Sequence, residues 1–184
     1  IGVVPWSGGT GLVGGQIAPD KFCIILSMEK MNNIKNFSSI NQSIEVEAGV
    51  VLESIHEFVD KENFLFPLSM ASKGSCCIGG NLATNAGGIG VLKYGNARDL
   101  CLGLEVVLAD GSIMNDIKTL KKDNTGYDLK NLFIGSEGSL GIITRAVLRL
   151  YPAPLNKIVL LFGVQNFNSA LKSYLEISKK FGQY

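Results

Sequence analysis

The sequence predicts an α+β fold, and three observations predict it. Short apolar runs alternate in and out with period two, as in Ile44, Val46 and Ala48 against Glu45 and Glu47. Between Val50 and Phe64 the period changes to that of a helix. Two glycine-dense loops then interrupt the regular elements, Pro5 to Gly15 and Gly74 to Gly88, and carry much of an excess of 22 glycines in 184 residues. The usual glycine share is about 7%.

Taken in order, Gly2 to Pro5 reads as the tail of a buried strand entering the first loop, and Phe22 to Leu26 as a second short strand. Ile34 to Phe37 and Ile44 to Ala48 form a hairpin pattern. In the helical stretch, Val51, Leu52, Ile55, Phe58 and Val59 share one face, with Glu53, Glu57 and Lys61 opposite. Asn81 to Asn85 reads as one or two helical turns, and Leu104 to Ala109 as a strand. Asp110-Gly111 is a type I′ hairpin signal leading into Ser112 to Met114. Thr125 with Asp128 resembles a capping box opening a short helix through Phe133, ended by Gly135. Ile142 to Leu150 is a long strand. Pro152 and Pro154 punctuate the chain like a domain boundary, so residues 1–153 form one domain and 154–184 begin a second. The second piece offers a strand, Ile158 to Val164, and an amphipathic helix from about Ser169 to Phe181, too little to enclose a core.

Composition narrows the partners. A hydrophobic share of 46% fits a packed globular protein, and a net charge of +1 gives no electrostatic case for nucleic acid. No apolar stretch approaches the roughly 18 residues of a membrane span. Cys23, Cys76, Cys77 and Cys101 match no zinc spacing, and adjacent cysteines form no ordinary disulfide, so they read as free thiols in a reducing compartment. The single histidine, His56, sits on the polar edge of a helix and reads as a surface residue. The chain opens on Ile1 with neither an initiator methionine nor a basic leader, which points to a fragment.

Glycine loops of this density suit a phosphate-bearing ligand, because backbone without Cβ can turn sharply and present successive N–H groups. A Walker A loop needs Lys and Ser or Thr after its last glycine, where this chain has Gln16-Ile17. The letters Gly9-Thr10-Gly11-Leu12-Val13-Gly14 fit a Rossmann fingerprint, but the following Ile17-Ala18-Pro19-Asp20 is no helix. Glycines serving only turns and bulges remain the bland alternative.

The residues also carry a resemblance. Pro5 to Gly15 resembles the pyrophosphate loop of p-cresol methylhydroxylase-type (vanillyl-alcohol oxidase-type) FAD-binding domains. Lys73 to Ser75, Ile78 to Gly88 and Lys93 to Gly95 resemble that family's second flavin loop. Leu104 to Gly111, Lys122 to Leu129 and Leu132 to Thr144 extend the likeness in the same order. Within the superfamily the chain is most similar to FAD-linked D-2-hydroxyacid dehydrogenases, which include the D-2-hydroxyglutarate and D-lactate dehydrogenases and the FAD subunit of glycolate oxidase.

The resemblance implies a fold of two α/β subdomains, incomplete at its N-terminus, joined to a truncated substrate-binding cap. It implies non-covalent FAD, since Thr10 stands where some relatives carry a flavin-linking histidine. Ser7, Gly8, Gly9, Thr10 and Gly11, with Gly14, Gly15 and Gln16, would wrap the pyrophosphate. Gly79, Gly80, Asn81, Thr84, Asn85, Gly87 and Gly88, with Pro67, Ser75 and Tyr94, would line the ribityl chain and ring. Glu137, Gly138, Gly141 and Ile142 would lie near the nucleotide end. Trp6-Ser7 and Gln16 depart from the family pattern of Arg or Gln then Gly, and of a small hydroxyl residue. No catalytic residue and no metal ligand fall in this chain; the base and any divalent metal belong to the absent cap. The implied reaction is oxidation of a D-2-hydroxyacid to the 2-oxoacid by hydride transfer to flavin, with a quinone or an electron-transfer flavoprotein as acceptor. The implied location is the bacterial cytoplasm or the mitochondrial matrix, in solution or peripherally on a membrane.

Overall fold

The computed structural model describes residues 1–156 and 158–181. A five-stranded antiparallel sheet organises the chain, in the order β3 (Ile34–Ser38), β4 (Ser43–Glu47), β8 (Ile142–Arg149), β6 (Cys101–Val107), β7 (Ile113–Asp116). The predicted hairpin is present as β3–β4, with Phe37 opposite Ile44. The late strand β8 lies between β4 and β6, so the sheet closes only after most of the chain has been laid down.

One sheet face is apolar because alternate residues point the same way. Ile44, Val46, Leu104, Val106, Ala146 and Leu148 are all fully buried there. Two helices contribute to the same core. α1 (Leu52–Lys61) supplies Leu52, Ile55 and Val59 at helical spacing, and α2 (Ile78–Ala83) supplies Ile78 and Leu82. Glu53 in the first turn of α1 and Lys61 in the last complement the helix dipole, and Asn63 at φ +60° ends the run. The other sheet face is charged. Arg145 on β8 is clamped between Glu45 on β4, at 2.9 Å, and Glu105 on β6.

Two small sheets flank this body. β1 (Gly2–Trp6) pairs in parallel with β2 (Cys23–Ser27), and β5 (Phe64–Leu65) pairs with β9 (Tyr151–Pro152). Short helices α3 (Val91–Tyr94) and α4 (Lys130–Phe133) close loops, and α5 (Phe167–Phe181) ends the described chain.

Five expectations change. The Gly2 to Pro5 strand is not buried: Val3 is exposed, as are Ile24, Ile25 and Leu26 on its neighbour. The pair has only each other, and no described element covers both its faces. The helical turn expected at Asn81 begins earlier, at Ile78. The Asp110-Gly111 turn is not type I′, which needs two residues at positive φ. Only Gly111 has it, at +83°, and bonds from Gly111 N–H to the Leu108 carbonyl and from Leu108 N–H to the Ser112 carbonyl make a three-residue loop. Thr125 caps no helix, because its hydroxyl and N–H both donate to Asp123, and α4 starts only at Lys130. Ile158 to Val164 is not a strand: it pairs with no described strand, and Val159 and Leu161 are almost fully exposed. The expected helix near Ser169 is present as α5 but has no buried residue, and 182–184 of the second piece lie outside the described residues.

Glu47 fastens the start of the sheet to the loop before it. Its carboxylate accepts from the Asn33 N–H at 2.9 Å, the Asn33 amide at 2.7 Å and the Lys35 ammonium at 2.8 Å. These donors, Lys35 first, hold its pKa down to about 2 from the usual carboxylate range, against the effect of burial. A folded pKa below the unfolded value stabilises fully above the unfolded pKa and is lost as pH falls through the folded one. We expect the urea stability of the protein to drop by roughly 2 kcal/mol between about pH 4.5 and pH 2 through this group, Lys35 being partly solvated. In Glu47→Gln that component of the pH profile should be absent; an unchanged profile would refute it.

Candidate flavin-binding site

Three segments converge beyond one end of the sheet: the first glycine loop, the second loop running into α2, and the turn from Gly135 to Ile142. They enclose a cavity of about 270 Å³. Backbone contact sets the geometry. A Cβ placed on Gly8 would lie 1.9 Å from the Ser75 carbonyl oxygen and 2.8 Å from Cys76 Cα, so the two loops touch main chain to main chain. Gly79 stands likewise against Ala48, whose side chain would be 2.7 Å from an added Cβ. The third segment is tied to α2 by Gly135 N–H to the Leu82 carbonyl, at 3.0 Å, and Glu137 N–H to the Ala83 carbonyl, at 2.8 Å. Glu137 takes φ +53° to make this turn, a costly conformation for a residue with a side chain.

Fifteen of the sequence-predicted residues line the cavity: Ser7, Gly8, Gly9, Thr10, Gly11, Gly15, Gln16, Gly79, Gly80, Asn81, Thr84, Glu137, Gly138, Gly141 and Ile142. Seven do not. Gly14 lies in the loop beside it, with its carbonyl accepting from Ile17 N–H. Ser75 supports Gly8 from behind. Asn85, at φ +49°, spends its side-chain oxygen on Arg98 N–H. Gly87 and Gly88 follow it, the latter packed against the Ser69 backbone, and Pro67 lies under Gly90. Tyr94 stacks edge-on with Tyr151 at 4.8 Å between centroids. Sequence reasoning missed Trp6, Met28, Met70, Ser72, Cys76 and Cys77 in the lining. The two cysteines were reachable from their place between Ser75 and Ile78, whereas the methionines are brought in only by the tertiary fold.

Chemically the site is a set of backbone donors with few charges. The N–H groups of residues 9–16 donate to no acceptor among the described residues. Gln16 folds back, its amide donating to the Gly11 carbonyl at 2.9 Å and closing the loop on itself. The Ser7 hydroxyl oxygen is buried without a partner. Among the described residues, no lysine or arginine lines the cavity, and the one carboxylate there is Glu137. Burial pushes the Cys77 thiol up, away from thiolate chemistry. His56 is remote from this cavity and is not the surface residue expected. It is half-buried, its Nε2 lies 3.0 Å from the Leu68 carbonyl, and burial lowers its pKa.

These features fit an anionic cofactor gripped by main chain, and comparison with known proteins decides which. The family model described as FAD binding domain matches residues 1–116. The chain belongs to this FAD-binding family.

The FAD-binding chain is 45% identical over its whole length to the mitochondrial D-2-hydroxyglutarate dehydrogenase of Bos taurus, of which it covers 34%. It is 47% identical over 95% of its length to the Danio rerio enzyme of that name, covering 32% of it. It is 40% identical over its whole length to the D-2-hydroxyglutarate–pyruvate transhydrogenase of Saccharomyces cerevisiae, covering 37%. The chain thus spans about a third of the length of the curated relatives it matches. Among solved structures, an alkyldihydroxyacetonephosphate synthase superposes with a TM-score of 0.74 at 25% identity, over 84% of this chain and 28% of that one. The α+β fold expected of an FAD-binding domain is therefore the one present.

The Gly8–Ser75 contact generates a test. Gly8→Ala should lower the urea stability by at least about 2 kcal/mol, because the methyl group must displace backbone rather than a flexible side chain. Gly163→Ala, where an added Cβ meets nothing within 4 Å, should be close to neutral. Equal midpoints for the two variants would show that the loops do not depend on this approach.

Proposed function

We propose that this chain is the FAD-holding part of a dehydrogenase that oxidises a D-2-hydroxyacid, such as D-2-hydroxyglutarate or D-lactate, to the 2-oxoacid. The observation that carries the reading is the run of N–H groups at residues 9–16 that donate to no acceptor among the described residues, in a loop whose Gly9, Thr10, Gly11, Gly15 and Gln16 line the cavity and which follows the buried Ser7 hydroxyl. Successive main-chain donors of this kind form a nest for phosphate oxygens. Ser7 to Gly11 with Gly15 and Gln16 would hold the pyrophosphate, Gly14 shaping the turn. Gly79 to Thr84 would flank the ribityl chain and ring, and Glu137 to Ile142 the nucleotide end. The enclosed volume is just below the usual 300–1,000 Å³ of pockets that bury a whole ligand, so the cofactor would be partly enclosed and partly laid in the open groove.

FAD, when bound, supplies the two-electron acceptor. The chain's own residues would bind and orient it, with Met28, Met70 and Ile142 supplying apolar surface to the cavity lining. Binding is non-covalent in this reading. No histidine lines the cavity, and the Cys77 thiol is held protonated by burial. The base, any divalent metal and the contacts to an electron-transfer flavoprotein or quinone are assigned in this reading to residues outside this chain. The domain boundary is placed after Ala153. What supports it is the loss of burial beyond Pro152, with exposed Leu155, Ile158 and Leu161 and a helix α5 that buries none of its residues. The Bos taurus and Danio rerio relatives carry mitochondrial in their names, and a mitochondrial location is proposed on that ground. No described helix is long and apolar enough to cross a membrane.

Titration with FAD provides the test. The protein should turn yellow, and acid precipitation should leave the flavin in the supernatant. Ser7→Ala should weaken binding about three- to tenfold, the worth of one hydrogen bond. Protein that stays colourless at saturating FAD would overturn the reading in favour of a remnant that holds no flavin.

A further inference from the structure

Trp6 is the one tryptophan of the chain, and it lines the flavin cavity. It is one of the departures from the family pattern, so the resemblance assigns it no role. It ends β1, and its surroundings hold it in place. Its carbonyl accepts from the Met28 N–H at 2.9 Å. On one side of it Pro5 packs on Gly138, where an added Cβ would lie 2.6 Å from the proline ring. On the other, Gly8 meets the Ser75 backbone.

The edge of the indole that carries the N–H lies against the start of the donor loop. A Cβ on Gly9 would lie 2.7 Å from Cζ2, 3.2 Å from Cε2 and 3.3 Å from Nε1. Gly9, at φ +64°, has no side chain to fill that space, so the ring packs directly on loop backbone. The indole N–H donates to no acceptor among the described residues, and Nε1 is not sealed from solvent. Other side-chain donors of the lining are committed. The Gln16 amide donates to the Gly11 carbonyl, the Thr84 hydroxyl to the Gly80 carbonyl at 2.9 Å, and the Asn81 amide to the Cys76 sulfur at 3.6 Å.

An indole N–H is a donor only, uncharged and fixed by its ring. Placed at the foot of a row of main-chain donors, it extends that row by one. On the flavin reading above, we propose that Trp6 is a cofactor-binding residue whose indole N–H donates to a pyrophosphate oxygen, beside the N–H groups that begin at Gly9. Its contact is with the phosphate and not with the isoalloxazine ring, so it acts on any ligand that carries the same diphosphate.

The lone indole gives a single side-chain signal in ¹⁵N-labelled protein. FAD and ADP should both move that signal downfield, and adenosine, which has no phosphate, should leave it in place. Trp6→Phe keeps an aromatic ring and removes the N–H, whereas Trp6→Gln removes the ring and keeps an N–H donor. Trp6→Phe should weaken FAD and ADP alike by about tenfold, and Trp6→Gln by about threefold or less. Circular dichroism reports folding; if Trp6→Gln does not fold, Trp6→His serves, keeping both a ring and an N–H. Full affinity in Trp6→Phe with loss in the folded donor variant would make Trp6 a packing residue and overturn the proposal. An indole signal moved equally by adenosine would overturn it too. So would a signal unmoved by bound FAD, which would leave the N–H in the neighbouring groove beside Glu29 and Asn32. Each of these outcomes leaves FAD binding itself intact, whereas a chain that takes up no FAD overturns the flavin reading and this one together.

Discussion

A contact between two stretches of backbone underlies the site. Gly8 sits so close to the Ser75 carbonyl that any side chain at that position would occupy the same space. The contact joins segments nearly seventy residues apart and fixes the distance between the loop that offers free N–H groups and the helix α2 that forms the opposite wall. The sheet makes the approach possible. Gly79 packs on Ala48, Gly79 N–H donates to the Ala48 carbonyl, and Ala48 N–H donates to the Thr144 carbonyl at the start of β8. A chain of main-chain bonds thus runs from the central strand to the cavity rim, with no flexible side chain as an intermediate.

This alters what the glycines mean. Density of glycine suggests close approach to a ligand, yet at Gly8, Gly79 and Gly88 the close neighbour is protein. These residues build the cavity by letting its walls meet. Under the proposed function, the direct work of ligand binding would fall instead to residues 9–16, whose N–H groups donate to no acceptor among the described residues, and to the buried Ser7 hydroxyl beside them. Both functions demand glycine, but for different reasons, and a substitution of the first kind harms folding before it harms binding.

Much of this was legible in the sequence. The β3–β4 hairpin, α1 and β8 follow from local periodicity and are present within a few residues. Fifteen cavity residues were found because they lie in continuous motifs. The failures share a physical cause, which is dependence on partners distant in sequence. Val3 and Ile24 look like core residues by composition, but both are exposed in a two-stranded sheet that no further described strand extends. Ile158 to Val164 has strand composition but pairs with no described strand. His56 is on the polar edge of its helix by periodicity, yet the Leu68 carbonyl comes across to meet it. Tyr94 belongs to a motif but turns to Tyr151. Local pattern specifies elements; it does not specify which element arrives on the other side.

The electrostatics of the cavity follow from the same construction. A phosphate-bearing cofactor would enter a site whose described lining holds no lysine or arginine and one carboxylate, Glu137. Its charge must then be met by oriented backbone dipoles, which act only where they are held in place. Isolated cations on long side chains could follow a shifting ligand, but main-chain donors cannot. Under that reading, rigid backbone contact at Gly8 and Gly79 would be a requirement of the binding chemistry as well as of packing. The positive φ at Glu137 fits this logic, because its strained turn lets its N–H reach the Ala83 carbonyl and anchors the third wall to the helix that carries Gly79. Recognition carried mainly by backbone would make the precision of the fold the source of affinity, and it would bind the glycine-rich walls and the sheet that positions them into one physical unit.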